Sequence, residues 1–375
     1  MKGIVFSVFY FLGLLGAFAQ ISNLTEDFLL PSNVAESSGA IFFNNKLITH
    51  NDSGGENKLY EVDVTTQLVT RTVTINNATN IDWEDITQDD TSIYIGDFGN
   101  NNGNRTDLKI YKISKSDYTN GTNITPEIIN FSYSDQTDFT SNLNNTIWDA
   151  EALVSFDANQ LLVFTKNWVD GTTKAYAVPK NPGTYTVNVQ PTALNAGGLI
   201  AGGTFNTATG KLYLVGYTSV LQPFVWVSHG FNINDIFSGT NTQITLSGLG
   251  QEQAEAITFI DEISYYMTSE SFSISVGSFT FMDDAKLMSF STNDELLSKT
   301  SVAQENHVML YPNPVSRKLQ IKSKGVSQVE IFDAQLKLLY QGHDVAIDVS
   351  AFKAGVYFVK VHFQSTWVIK KLVKH

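Results

Sequence analysis

Four glutamates open four similar stretches of this chain. Glu36-Ser-Ser-Gly-Ala-Ile leads through Asn44-Asn45 into Lys46-Leu-Ile-Thr-His50 and Asp52. Glu84-Asp-Ile leads into Ile93-Tyr-Ile-Gly-Asp97, Glu151-Ala-Leu-Val into Leu161-Leu-Val-Phe-Thr-Lys166, and Glu255-Ala-Ile-Thr-Phe into Tyr265-Tyr-Met-Thr-Ser-Glu270. Asp82 and Asp149 stand two places ahead of Glu84 and Glu151, doubling the carboxylates there. Carboxylates gathered away from water share protons at raised pKa, bind a cation, or pair with Lys and Arg. Oxygen-only donors suit Ca²⁺ rather than zinc. The glycines of Gly96-Asp97-Phe98-Gly99-Asn100-Asn101 let backbone oxygens turn inward as well.

The candidate metal ligands are therefore Glu36, Asp82, Glu84, Asp97, Asp149, Glu151, Glu255 and Glu270, and the expected ion is Ca²⁺. Two functions follow. A structural ion would belong to a binding module that takes a small molecule, a carbohydrate or a protein over the site. An ion with open coordination would serve a hydrolase of an ester, lactone or phosphoester, with Glu84 or Glu151 as the base. The sequence leaves both open, and with them whether the protein is an enzyme.

Such acids meet only if the elements carrying them repeat. Each glutamate begins an apolar strand, a short Asn/Asp turn and a second strand, and a further strand pair follows. A fifth copy, Gly203-Thr-Phe then Lys211-Leu-Tyr-Leu-Val-Gly216, keeps the hairpin but lacks both acids. Four strands in roughly 45–50 residues mark the blade of a β-propeller. The expected fold is all-β, a five- or six-bladed propeller over residues 20–304. Residues 114–147 are long enough for a sixth blade or an excursion, and a strand at 26–30 would close the ring. Innermost strands line the channel, so the glutamates would meet at one end of it.

Other motifs carry less. Asn51-Asp52-Ser53-Gly54-Gly55 matches the nucleophile segment of chymotrypsin-like proteases, but a triad needs a base and an orienting group assembled across the fold. Residues 20–304 hold only His50 and His229, too few for a multi-histidine metal site there. Trp83, Trp148, Trp168 and Trp226 read mainly as blade packing, with Trp83 and Trp148, beside the acids, the candidates for stacking on a sugar.

The 375 residues carry a net charge of −13 and no cysteine, which excludes disulfides and thiol chemistry and disfavours nucleic-acid binding. Residues 1–19 combine Lys2, an apolar run from Ile4 to Leu15 and Ala17-Phe18-Ala19, the pattern of a signal peptide cleaved near Ala19. That run is shorter than the ~20 residues a membrane span needs, so the mature chain is expected to lack a transmembrane span. From Glu305 onward ten Lys/Arg face five acids, leaving +5 there against −18 before it. Such a reversal marks a domain boundary, with a linker near 293–301 and a small β-sandwich over 305–375 expected from its short alternating strands.

The order Tyr311-Pro-Asn-Pro314, Val329-Glu-Ile-Phe-Asp333, Ile347-Asp-Val-Ser350, Gly355-Val-Tyr-Phe-Val-Lys360 and Lys370-Lys-Leu-Val-Lys374 resembles the C-terminal sorting domain of type IX secretion, over about 308–375. Ala334-Gln335 stands where that family often has glycine. The resemblance implies a Bacteroidota-type cell and export through the type IX machinery by residues 305–375. It also implies a secreted or outer-membrane cell-surface location. The motifs from Glu36-Ser-Ser-Gly to Asp149-Ala-Glu-Ala-Leu153 resemble a group of secreted bacterial propeller proteins of undefined activity, a likeness that implies no reaction.

Overall fold

The computed structural model describes residues 21–276, 279–294, 296, 308–323, 325–335, 337–363 and 367–375. The leader expected at 1–19 and most of the expected linker lie outside these. The chain divides into two compact units, Met1–Leu296 and Leu297–His375.

The described residues of the first unit form a ring of five blades. Blade I is built from Ser37–Phe43, Lys46–Asn51, Lys58–Asp63 and Leu68–Ile75, each antiparallel to the next. Blade II uses Trp83–Gln88, Ser92–Asp97, Lys109–Ser114 and Glu127–Tyr133, and blade III uses Ala150–Ser155, Gln160–Thr165 and Ala175–Pro179. Blade IV is Leu199–Asn206, Lys211–Tyr217, Pro223–His229 and Thr240–Thr245. Blade V comprises Gln253–Phe259, Ser264–Glu270 and Lys286–Thr292, and its outermost strand is the N-terminal Ile21–Leu29. The ring is thus closed by the beginning of the chain, on a longer strand than the sequence suggests. Residues 114–147 hold no sixth blade: they supply helix Lys115–Asn120, the fourth strand of blade II and a long loop.

Burial follows position. Inner strands are covered on both faces and read as nearly continuous buried runs, as in Ala150–Ser155. The outer strand Glu127–Tyr133 alternates exposed and buried residues. An apolar cluster fills each of the five gaps between neighbouring blades, including Leu47, Val62, Ala256 and Leu287 between blades V and I. Each fully buried Leu, Ile, Val, Phe or Met among them contributes about 1.5–3 kcal/mol, so the ring is held by its blade faces and the axis is free to carry polar groups.

The second unit has one sheet of Met309–Tyr311, Lys318–Lys322 and Ala346–Asp348, and another of Leu338–Gly342, Gln328–Phe332, Gly355–His362 and Trp367–Lys374. Leu319, Ile321, Val329, Ile347, Val359 and Leu372 share one apolar core. The Tyr-Pro-Asn-Pro segment is tied to the last strand by Asn313, which donates to the Lys371 carbonyl at 2.8 Å and accepts from the Val373 N–H at 2.8 Å. Among the described residues no helix is long and apolar enough to cross a membrane.

Candidate functional site

A β-bulge interrupts every inner strand of the propeller at the same register. Pairing jumps from Ser37 to Gly39 in blade I, Trp83 to Ile86 in blade II and Ala150 to Ala152 in blade III. It jumps from Ile200 to Gly202 in blade IV and Ala254 to Ala256 in blade V. The extra residue is re-aimed out of the ladder. It is Ser38, Glu84, Glu151, Ala201 and Glu255 in turn, one per blade. The second strands end beside this ring, placing Asp52, Lys166, Tyr217 and Glu270 next to it. Together with Trp168, Gln253, Asn101, Leu143 and Asn144, these residues enclose a cavity of about 330 Å³, with Ala201 the ring member that does not line it.

The acids there differ in what answers them. Glu151 is bonded to the Lys166 ammonium at 2.9 Å, both buried. Asp149 accepts from the backbone N–H of Asn100 and Ala150 and from the Trp168 indole N–H at 2.7 Å. Asp85, buried below the ring, accepts from the N–H groups of Ile86, Leu153 and Gly203, stitching three inner strands together. Glu84 and Asp82 have no hydrogen-bond partner for their carboxylates among the described residues. A Cβ on Gly99 would stand 1.9 Å from Glu84 Oε1 and 2.4 Å from Asp82 Oδ2, so only glycine leaves them room. Both oxygens of Glu255 are buried without a partner, since the Gln253 amide nearby donates to Glu270.

Burial, then the charges of its neighbours, pushes Glu84 well above the usual carboxylate range, with Glu151 the largest of those charges. Burial likewise raises Glu151 and Glu255, against the opposing pull of Lys166. Asp82 and Glu270 are each pushed up to about 7, by burial first and then by Asp52. Burial alone would drive Lys166 toward neutrality, but Glu151 and the acids around it outweigh burial and keep it protonated. Two carboxylate trios present one oxygen each within 4.8 Å of one another: Asp52, Asp82 and Glu84, and Glu84, Asp149 and Glu151.

Of the expected ligands, Asp82, Glu84, Asp149, Glu151, Glu255 and Glu270 converge at this end of the axis. Glu36 does not enter the cavity. It is exposed, two residues ahead of the bulge, in the register of Asp82 and Asp149; Ser38 holds the place expected for it. Asp97 is also elsewhere, because a one-residue step along a strand reverses the face. Its carboxylate binds Arg105 at 2.9 Å and takes the Tyr111 hydroxyl, and Phe98, next in line, packs into the blade II–III core.

Trp83 is core and Trp148 stacks on Tyr133, whereas Trp168 reaches the cavity. His50 is buried edge-on to Trp83, with Nδ1 on the Asn51 carbonyl, while Ser53 is exposed, so the two form no catalytic pair. Reading acids alone passed over Ser38, Tyr217 and Gln253; the shared bulge register is what finds them.

Residues 309–375 match the family model described as the secretion system C-terminal sorting domain. No curated protein sequence matches the chain. Among solved structures, the chain is similar to the PQQ-bound aldose sugar dehydrogenase of Streptomyces coelicolor. The identity is 9% and the TM-score 0.43, covering 74% of this chain and 99% of that one. It is similar to a putative 6-phosphogluconolactonase of Bacteroides uniformis at 11% identity and a TM-score of 0.34, covering 92% and 89%. The WD40 domain of Toxoplasma gondii coronin follows at 9% and 0.31, covering 96% and 87%. These likenesses concern the propeller fold and nothing finer. The C-terminal unit is a type IX secretion sorting domain, and the chain that carries it is a secreted or cell-surface β-propeller.

Proposed function

We propose that this is an exported binding module whose axial pocket holds Ca²⁺ between Asp52, Asp82 and Glu84 and takes its ligand at the mouth of the same cavity. A leader cleaved near Ala19 starts the export and the type IX machinery of a Bacteroidota-type cell completes it. One observation carries the reading. The carboxylates of Asp82 and Glu84 have no other partner among the described residues, yet each brings an oxygen within 4.8 Å of one from Asp52. Oxygens that share a Ca²⁺ at about 2.3–2.6 Å are separated on that scale, and an all-oxygen set suits this ion. A bound ion would offset the buried negative charge and leave positions for ligand oxygens.

We place binding ahead of hydrolysis because Glu151 is held by Lys166, and because Glu84, in the cation group proposed here, would be spent on the ion rather than serve as a base. Calorimetric titration of CaCl₂ into the EDTA-treated full chain tests the reading. One saturable site near one ion per chain, lost in Glu84→Gln, is the expected result. A folded wild type that takes up no Ca²⁺ would overturn it.

A further inference from the structure

Glu255 occupies the bulge of blade V with only 3% of its surface exposed, and it lines the 330 Å³ cavity. Among the described residues it is the carboxylate whose two oxygens are both buried and unpartnered. Its nearest donors make their short bonds elsewhere, the Gln253 amide on Glu270 and the Lys166 ammonium on Glu151, and act on Glu255 only from longer range. An unmatched buried carboxylate costs free energy until a donor reaches it, most of all a charged one. A metal ion is the wrong guest, because Glu255 stands outside both trios close enough to share one. A single ammonium needs only one carboxylate.

The cavity already shows how it holds such a group. Lys166 sets its ammonium on Glu151 with the rings of Trp168 and Tyr217 at 5.2 and 5.6 Å, a carboxylate-plus-aromatic arrangement that favours cations. Those rings also line the cavity, and Leu143 at its edge is 66% exposed, offering apolar surface to a methylene stem.

We infer that the cavity is a receptor site for a primary ammonium group on an apolar stem, a lysine side chain or a free alkylamine, with Glu255 as its acceptor. The inference rests on the cavity being a binding pocket but not on an ion being present in it. The test is calorimetry on the full chain with acetyl-Gly-Lys-Gly-amide, acetyl-Gly-Gln-Gly-amide and n-butylammonium, each with EDTA and with CaCl₂. The lysine peptide or the alkylamine binds near one per chain while the glutamine peptide does not, and Glu255→Gln weakens binding at least about tenfold. Tighter binding of the lysine peptide assigns the guest to a polypeptide, and equal binding assigns it to free amines.

Failure of both amines to bind, or equal binding of the lysine and glutamine peptides, overturns the inference in wild-type protein, whatever the variant's folding. So does unchanged amine affinity in folded Glu255→Gln. Amine binding in EDTA without any Ca²⁺ uptake would sink the ion and leave this site standing; the reverse pattern would do the opposite.

Discussion

The two mouths of the propeller channel are built from opposite ends of the same five strands, yet they treat charge in opposite ways. At the far mouth a cavity of about 960 Å³ is lined by Phe42, Phe156, Phe205 and Phe259, and its acids Asp89, Asp90 and Asp157 are accompanied by Lys115 and Lys180. Its Asp89 is fully answered: it binds Lys180 and the Tyr94 hydroxyl at 2.9 and 2.8 Å and accepts the N–H groups of Thr91 and Ser92. Although burial opposes it, these bonds hold Asp89 below the usual carboxylate range. At the acidic mouth every displaced carboxylate is displaced upward. A carboxylate surrounded by donors is part of the scaffold. One that is buried, raised and unpartnered is a candidate for binding a group from outside the chain.

Removing the cation from each mouth tests that contrast most strongly. Lys166→Met leaves Glu151 buried beside other acids, and loss of one partner from a buried pair costs about 3–5 kcal/mol. Lys180→Met leaves Asp89 with its hydroxyl and N–H donors and a side chain 24% exposed, so the expected loss is about 1–2 kcal/mol. Urea unfolding of the two variants reads the difference. Adding Glu151→Gln should restore much of what Lys166→Met removes, and equal losses at the two mouths would erase the distinction.

The next effect depends on pH. Glu270 has its pKa raised from 4.5 to about 7 in the folded chain, so between those values the folded state holds a proton that the unfolded state has released. Its stability contribution is therefore fully present below about pH 4.5 and declines as pH rises through 7. Glu270→Gln removes that decline. Relative to wild type, the variant should gain stability from pH 4 to pH 8, by at most about 3 kcal/mol. Thermal melts of apo protein across that range check it, and a constant difference between the two would show that Glu270 is not perturbed.

The parts of this arrangement that were readable in sequence are those written in periodicity. Apolar strands separated by Asn/Asp turns give the blades, and spaced motifs such as Tyr311-Pro-Asn-Pro314 give the sorting domain. Glu84, Glu151 and Glu255 were found because their strands repeat. The bulge was not readable, since a residue pushed out of a β-ladder carries no fixed side-chain type. Matching glutamate to glutamate therefore paired Glu36 with Glu84, when the ladder pairs Ser38 with Glu84 and Glu36 with Asp82. Asp97 failed by a single residue, which on a strand is enough to send a side chain into the wrong environment. Glu255 was legible as an acid on the axis, but its lack of a partner depends on where Gln253 and Lys166 point, and no local pattern records that.

The smallest expected effect bears on that same two-residue difference. Glu36 is exposed, and its backbone N–H, not its carboxylate, makes the bond to Asn51. Glu36→Gln should therefore shift stability by no more than about 0.5 kcal/mol, and Ca²⁺ affinity by no more than about twofold through weak screened attraction. Glu84→Gln, two places further along the equivalent strand, should abolish uptake. Parallel calcium titrations of the two variants compare the registers directly. Loss of binding in Glu36→Gln would move the ion out to the level of Glu36, Asp82 and Asp149, above the bulge ring, and would make the alignment by residue type the correct one after all.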